Sequence, residues 1–292
     1  MNIIKPQILS KGDTIEIIAP AGAVDYDLVM KSKDYIESKG YKVVFGEHIF
    51  EQERYFAGCD KHRLEDFHNA FLNPEVKAIF CARGGYGSIR FIEDINYNIV
   101  QSNPKIFCGY SDITALSLMI LKHAGLITYS SPMMQSDFSD DVPNEYTEKS
   151  FFNVLSGNNE EYLSDKIINH GNTEGIIWGG NLSTVVSLCG LDFIPDEKFI
   201  FFTEDVNEPV YKIDKMLRQL INIEKFRQNI SALAFGEFSG VDNPQWLEDL
   251  LSETSTLLNI PTASGFKFTH SNEKQTIPIG QKAIFDGNIK LK

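Results

Sequence analysis

The sequence predicts an α/β protein: a parallel sheet covered on both faces in the N-terminal half, followed by a smaller α/β domain. Three observations carry this reading. Short apolar runs rich in Ile, Val and Phe alternate with amphipathic helix patterns from residue 14 to residue 129, as strands joined by crossover helices do. The pattern loosens into Asp, Ser, Asn and Gly between residues 135 and 172 before it resumes, which marks an interdomain crossing. The length of 292 residues lies at the upper edge of what one core supports, and 42% apolar with 23% charged residues is a globular balance. The expected organisation is a first domain over residues 1–150, a linker region over 151–172 and a second domain over 173–292.

In chain order, residues 14–18 read as a strand that runs into Ala19-Pro-Ala-Gly22, a loop placed where α/β folds put ligand sites. Residues 25–39 form an amphipathic helix ended by Gly40, 41–45 a second strand, and 60–72 a helix carrying Leu64, Phe67 and Phe71 inward. A third strand at 78–81 leads into Arg83-Gly-Gly-Tyr-Gly87 and a helix from Ser88. Three glycines in five residues permit positive φ and close backbone approach to a ligand. The stretch matches no phosphate loop, but it is the best-placed donor of a backbone N–H to an oxyanion in the first half. Residues 106–108 are a fourth strand, 112–124 a helix with Leu116, Met119, Ile120 and Ala124 on one face, and 127–129 a fifth strand; a helix covers 146–155.

The second half opens with a strand at 176–180 and an apolar helix at 181–188 across a glycine pair. An apolar strand at 199–203 ends on Glu204-Asp205, and the helix at 210–220 buries Ile213, Met216, Leu217 and Leu220. A strand at 232–235, a helix at 246–258 and the run 260–266 lead to Phe268-Thr-His270. The chain ends in a hairpin whose strands, 282–285 and 288–291, are joined by the two-residue turn Asp286-Gly287.

A formal net charge of −13 repels phosphate backbones and anionic lipid, which excludes nucleic acid and membrane as default partners and leaves a small-molecule or peptide substrate. The first residues lack the basic start and apolar run of a signal peptide, and no window reaches the length of a membrane span, so a cytoplasmic protein is expected. Cys59, Cys81, Cys108 and Cys189 are scattered without C-x-x-C spacing and read as reduced thiols.

Chemistry concentrates where the fourth strand stops. Only Gly109-Tyr-Ser111 separates it from the next helix, and so tight a turn pushes a serine hydroxyl out at the carboxyl end of the strand. Ser111 is therefore a candidate nucleophile in a nucleophile elbow. Gly109 fits the first glycine of G-x-S-x-G, whereas Ile113 stands in place of the second; the alternative is an ordinary helix N-cap. Glu204 and His270 likewise follow apolar segments, in the order Ser, acid, His. A serine needs a base to take its proton, and the base needs a carboxylate to orient it. Glu204 could instead cap the helix after it. His48, His62, His68, His123 and His170 fall on polar helix faces or loops, and no histidine pair has metal-ligand spacing on one helix face, so neither metal nor cofactor is expected.

Six blocks stand in one order along nearly the whole chain: Lys11-Gly-Asp-Thr-Ile15 with Ala19-Pro-Ala-Gly22, Ala82-Arg-Gly-Gly-Tyr-Gly87, Gly109-Tyr-Ser-Asp-Ile-Thr114, Gly179-Gly-Asn-Leu-Ser183, Thr203-Glu-Asp-Val-Asn-Glu-Pro-Val-Tyr-Lys-Ile-Asp214, and Thr269-His-Ser-Asn with Ile277-Pro-Ile-Gly280. In these the sequence resembles the LD-carboxypeptidases of the serine peptidase class, which include the microcin C immunity-type peptidases. The resemblance implies a Rossmann-like N-terminal domain bearing the serine, a smaller C-terminal domain bearing the acid and histidine, a cleft between them, and a homodimer. It implies Ser111 as nucleophile, His270 as general base and then acid, Glu204 as the group that orients it, and the N–H groups of Gly85 and Asp112 as oxyanion hole. The implied reaction releases the terminal D-alanine of a murein tetrapeptide during cytoplasmic recycling of cell-wall fragments.

Such a substrate ends in a free carboxylate, for which Arg83 beside the glycine turn is the candidate cation; pairing with structural carboxylates is its alternative. Two other functions stay open. A microcin-type amidase would cleave an aminoacyl or peptidyl group from a nucleotide-like partner and would need an aromatic to stack on the base, Trp178 or Tyr86. An inactive ligand-binding relative is the reading supported by Thr269, which stands where the family has glycine before the histidine.

Overall fold

Apolar strands flanked by helices need both sheet faces covered, and the computed structural model, which describes residues 2–292, meets that need with two sheets. The first half runs β1 (Thr14–Ile18), α1 (Tyr26–Ser38), β2 (Lys42–Phe45), α2 (Asp60–Leu72), β3 (Val76–Cys81), a 3-10 turn at Ser88–Asp94, α3 (Tyr97–Ser102), β4 (Ile106–Cys108), α4 (Ile113–Ala124), β5 (Thr128–Ser130), α5 (Met134–Asp137) and α6 (Glu145–Leu155). Its strands pair in parallel in the order β2-β1-β3-β4-β5, a doubly wound, Rossmann-like arrangement that reverses direction between β1 and β3. Local signals set the helix ends: the Asp25 carboxylate accepts from Leu28 N (3.1 Å) to start α1, and Gly40 at φ +92° follows its end.

The second half comprises β6 (Glu161–Tyr162), β7 (Lys166–Asn169), β8 (Thr173–Asn181), α7 (Leu182–Ser187), β9 (Phe199–Val206), α8 (Val210–Ile221), α9 (Glu224–Asn229), β10 (Ile230–Ser239), α10 (Pro244–Leu258), β11 (Thr262–Ser264), β12 (Ile277–Ile279), β13 (Lys282–Phe285) and β14 (Ile289–Leu291). Strands β8, β9, β10 and β11 are parallel, and the sheet reads β6-β14-β13-β8-β9-β10-β11-β7. The polar region 151–172 contains the end of α6 and also β6 and β7, the two edge strands of this sheet. Their short runs and polar neighbours suit exposed edges, which hides them in a hydropathy pattern. Strand β12 crosses back to pair antiparallel with β5, so the C-terminal half completes the first sheet. The terminal hairpin pairs Phe285 with Ile289, which leaves a three-residue loop with Gly287 at φ +105° rather than the expected two-residue turn. No helix among the described residues is long and apolar enough to cross a membrane.

Helix α4 lies between the sheets. The sequence pattern assigns it one apolar face, yet ten of its twelve residues are buried, because β8 and α7 cover the side that the first sheet does not. One core therefore runs from Phe107 and Leu116 through Trp178 to Phe202. The contact is close at Gly180, where a Cβ would lie 2.6 Å from both Cγ2 and Oγ1 of Thr114 and where φ is +143°. The Asn181 N–H beside it donates to Thr114 Oγ1 (3.2 Å).

Gly180→Ala is expected to lower stability by at least about 1–3 kcal/mol from backbone strain alone, read as a lower urea midpoint at unchanged m. A second test concerns the buried Glu16 of β1, whose carboxyl is pushed from its ordinary 4.5 to about 7 by burial and by Asp66, with Lys105 opposing. Its folded pKa is raised, so its contribution to stability is full below about pH 4.5 and lost as pH rises through 7. Glu16→Gln is expected to flatten that part of the stability-versus-pH profile by on the order of 1–2 kcal/mol, measured by denaturation at pH 4.5 and pH 8.

Candidate active site

The carboxyl ends of β1, β3 and β4 each release a short turn on the same edge of the first sheet, and the turns pack on one another. Gly22 N donates to Gly84 O (3.0 Å), which joins the first two. Gly84 in turn lies against Ser111: a Cβ on it would sit 3.0 Å from Ser111 Cβ and 3.2 Å from Oγ. The second glycine that the elbow motif lacks at residue 113 is thus supplied from another strand. At Gly109 a Cβ would lie 2.8 Å from Ile113 Cγ2, so glycine there makes room for isoleucine one turn on.

Ser111 adopts φ +60°, the left-handed region that a serine rarely enters, at a cost of about 1–3 kcal/mol. Neighbouring bonds hold it there. Ser88 donates from N to Asp112 Oδ2 (2.9 Å) and from Oγ to Asp112 O (2.8 Å), and Thr114 N reaches Ser111 O (3.0 Å). The Asp112 carboxylate is therefore spent on Ser88, and burial raises its pKa. Neither Ser111 nor Asp112 caps α4 through its side chain, so the N-cap alternative does not hold. Among the described residues, neither the Gly85 nor the Asp112 N–H donates to another protein group.

Glu204 is not past a strand end as expected but within β9, paired with Asn181 of β8 and 5% exposed. It caps no helix; its Oε2 lies 2.6 Å from His270 Nδ1. His270 reaches it because β10 bulges at Gly236-Glu237, where Glu237 N donates to Phe268 O (2.9 Å) and a Cβ on Gly236 would run into that carbonyl. Thr269 fits without glycine: its φ is not left-handed, its Oγ1 accepts from Ser271 N (2.8 Å), and it hydrogen-bonds the Glu237 carboxylate. No hydrogen bond joins Ser111 and His270 among the described residues; the contact between their two segments is made by Tyr110. Tyr110, next to the serine, meets the His270 ring edge-on at 4.9 Å between centroids.

Sequence reasoning missed the support behind this pair. Lys274, buried in the loop after His270, forms an ion pair with Asp137 of α5, donates to Tyr110 Oη (3.1 Å) and stands 4.2 Å from that ring's centroid. Burial, with Asp137 and Glu204 nearby, pushes the Tyr110 phenol well above its ordinary pKa and keeps it neutral. A lone lysine in a polar loop gives no sequence signal for such a role.

An open cleft of about 570 Å³ adjoins the turns, at the point where the sheet order reverses. Gly85, Tyr86 and Arg83 line it, together with Gln52, Arg54 and Tyr55 from the segment after β2. Among the described residues Arg83 makes no ion pair; its Nη1 donates to Ala23 O (2.8 Å), which does not support its structural-pairing alternative. Trp178 is packed among Phe193, Phe199 and Phe201 with 0% exposure and cannot stack on a ligand, whereas Tyr86 is 51% exposed on the cleft.

Two family models match the chain: the LD-carboxypeptidase N-terminal domain over residues 15–131 and the LD-carboxypeptidase C-terminal domain over residues 174–285. A probable murein peptide carboxypeptidase of Bacillus subtilis (strain 168) is 34% identical over 97% of this chain and 91% of its own. Among solved structures, an MccF-like protein from Bacillus anthracis superposes with a TM-score of 0.90 at 28% identity, covering 99% of each chain. A muramoyltetrapeptide carboxypeptidase from Oxalobacter formigenes does so at 0.87 and 31% identity, over 95% of this chain and 97% of its own.

The Thr269 hydroxyl has a testable share in holding His270. Thr269→Val keeps the shape but strands Ser271 N and Glu237, and is expected to cost about 1–3 kcal/mol, while Thr269→Ser stays near the parent. Denaturation midpoints of the two variants side by side check this.

Proposed function

We propose, from the premise that this chain belongs to the LD-carboxypeptidase family, that it is a serine LD-carboxypeptidase releasing the terminal D-alanine of a murein tetrapeptide. The observation that carries the reading is the 2.6 Å pairing of His270 Nδ1 with Glu204, set beside a serine in an elbow. With Nδ1 engaged, Nε2 is the atom left to serve Ser111. Substrate binding closes the remaining gap, as happens in many sites whose hydrogen bonds tighten only in the complex.

In this mechanism Ser111 Oγ attacks the carbonyl carbon of the L-centre while His270 Nε2 takes its proton. Negative charge moves to the carbonyl oxygen, where the unpartnered N–H groups of Gly85 and Asp112 receive it. His270 then gives the proton to the departing amine of D-alanine as the C–N bond breaks. Water, deprotonated by the same nitrogen, hydrolyses the acyl-enzyme and restores Ser111. Glu204 stabilises the imidazolium at each stage. Arg83 on the cleft wall, whose Nη1 donates to Ala23 O, binds the terminal carboxylate. A cytoplasmic homodimer taking part in cell-wall recycling belongs to the same proposal.

Two observations weigh against the other readings. Burial of Trp178 removes one of the two aromatics on which the amidase reading relied for stacking, and the bonds of Thr269 remove the reason to expect a displaced, inactive His270.

Mass spectrometry of purified protein with murein tetrapeptide should detect D-alanine and tripeptide. Ser111→Ala and His270→Ala are expected to lower turnover by about 10⁴–10⁶ and Glu204→Gln by about 10²–10⁴, all three remaining folded. An inactive parent on tetrapeptide that hydrolyses aminoacyl sulfamoyl nucleotides would put the amidase in its place.

A further inference from the structure

Between the turn after β2 and helix α2, one cluster of side chains takes no part in the chemistry above. Helix α2 presents His62 and Glu65 one turn apart on a single face. His48, from the turn after β2, lays its ring on that of His62, with centroids 4.0 Å apart and planes 14° from parallel. Its backbone is fixed by the buried Asp66 carboxylate, which accepts from His48 N (3.0 Å).

A single carboxylate orients both rings. Glu51 Oε1 lies 3.1 Å from His48 Nδ1, and its Oε2 lies 2.7 Å from His62 Nδ1. Glu51 is itself seated against Gly58, where a Cβ would come within 2.5 Å of Oε2. With both Nδ1 atoms donating to Glu51, both rings are held in the tautomer that leaves Nε2 as the lone-pair atom. His48 Nε2 is 3.5 Å from Glu65 Oε2, and one ligand atom from each of His48, His62 and Glu65 lies within 4.8 Å of the others.

We propose that His48, His62 and Glu65 form a binding site for a divalent transition metal such as Zn²⁺, with Glu51 as the carboxylate that orients both histidines. Two imidazoles and one carboxylate suit zinc, nickel or copper and are a poor set for calcium or magnesium, which take oxygen. Donors around a metal with bonds of about 2.0–2.1 Å stand roughly 3.3 Å apart, so small side-chain rotations close the site. The sequence hides it because one histidine comes from a turn and the other from a helix. Its role is structural: the metal ties α2 to the start of the segment that carries Gln52, Arg54 and Tyr55 into the cleft. It is independent of the reaction proposed for Ser111.

Isothermal titration of the chelator-treated full chain with ZnCl₂ tests the site, with thermal melts as a second readout. The parent is expected to bind one equivalent at micromolar Kd or tighter and to melt higher with metal. The His48→Gln/His62→Gln double variant should lose binding, and Glu65→Gln and Glu51→Gln should each weaken it about 10–100-fold, circular dichroism showing all of them folded. Absence of stoichiometric binding by the parent below about 100 μM overturns the proposal. So does zinc affinity that persists in the double variant, which would place the metal at a cysteine or at His270. Should the double variant fail to fold, Glu65→Gln and the parent titration still decide the matter.

Discussion

Helix α4 cannot shift without displacing both sheets, and the site depends on that. It starts immediately after Ser111, is buried on nearly every side, and meets the second half where Gly180 leaves room for Thr114. Glu204 lies on β9, hydrogen-bonded in register to the strand that carries Gly180 and Asn181. The serine and the acid are thereby placed relative to each other by packed backbone rather than by a flexible link between domains. In close-packed interiors such contacts transmit small displacements instead of absorbing them. The return of β12 to the first sheet adds a second covalent and hydrogen-bonded tie between the halves.

Given that frame, the left-handed serine is affordable. A strain of about 1–3 kcal/mol persists only where the surroundings over-determine the conformation. Here Ser88 braces Asp112 from a different strand's turn, Gly109 yields space to Ile113, and Gly84 yields space to the serine itself. The histidine is held differently, by a bulge in β10 and by polar bonds from Thr269 and Lys274 at the two ends of its loop. That loop is thus fixed by side-chain bonds, whereas the serine is fixed by packed backbone.

Much of this was legible in the sequence, and what was not has physical causes. Strands β1 and β4 and helix α2 stand where periodicity places them, because buried parallel strands and amphipathic helices carry strong hydropathy signals. The block Gly109-Tyr-Ser111 announces a tight turn on composition alone. Edge strands β6 and β7 escaped notice because short, half-exposed strands have no continuous apolar run to betray them. Burial of α4 on both sides escaped because it depends on β8 and α7, some sixty residues away. Lys274 and Thr269 escaped because their partners, Asp137 and Glu237, are distant in sequence and only the folded chain brings them into contact.

The packed frame and the cleft beside it are built from different residues. Ser111, Asp112 and Glu204 sit on turns and strands locked against the buried helix. Arg83 and Tyr86 in the glycine turn and Gln52, Arg54 and Tyr55 in the segment after β2 instead line an open cleft. Arg83 and Arg54 share that wall with Asp25, and Arg54 pairs with Glu53 (3.4 Å), so of the two arginines Arg83 is the one whose bond goes to a backbone carbonyl rather than to a carboxylate. The same two-domain frame is shared by an MccF-like protein and by a muramoyltetrapeptide carboxypeptidase, so the frame by itself does not fix the substrate.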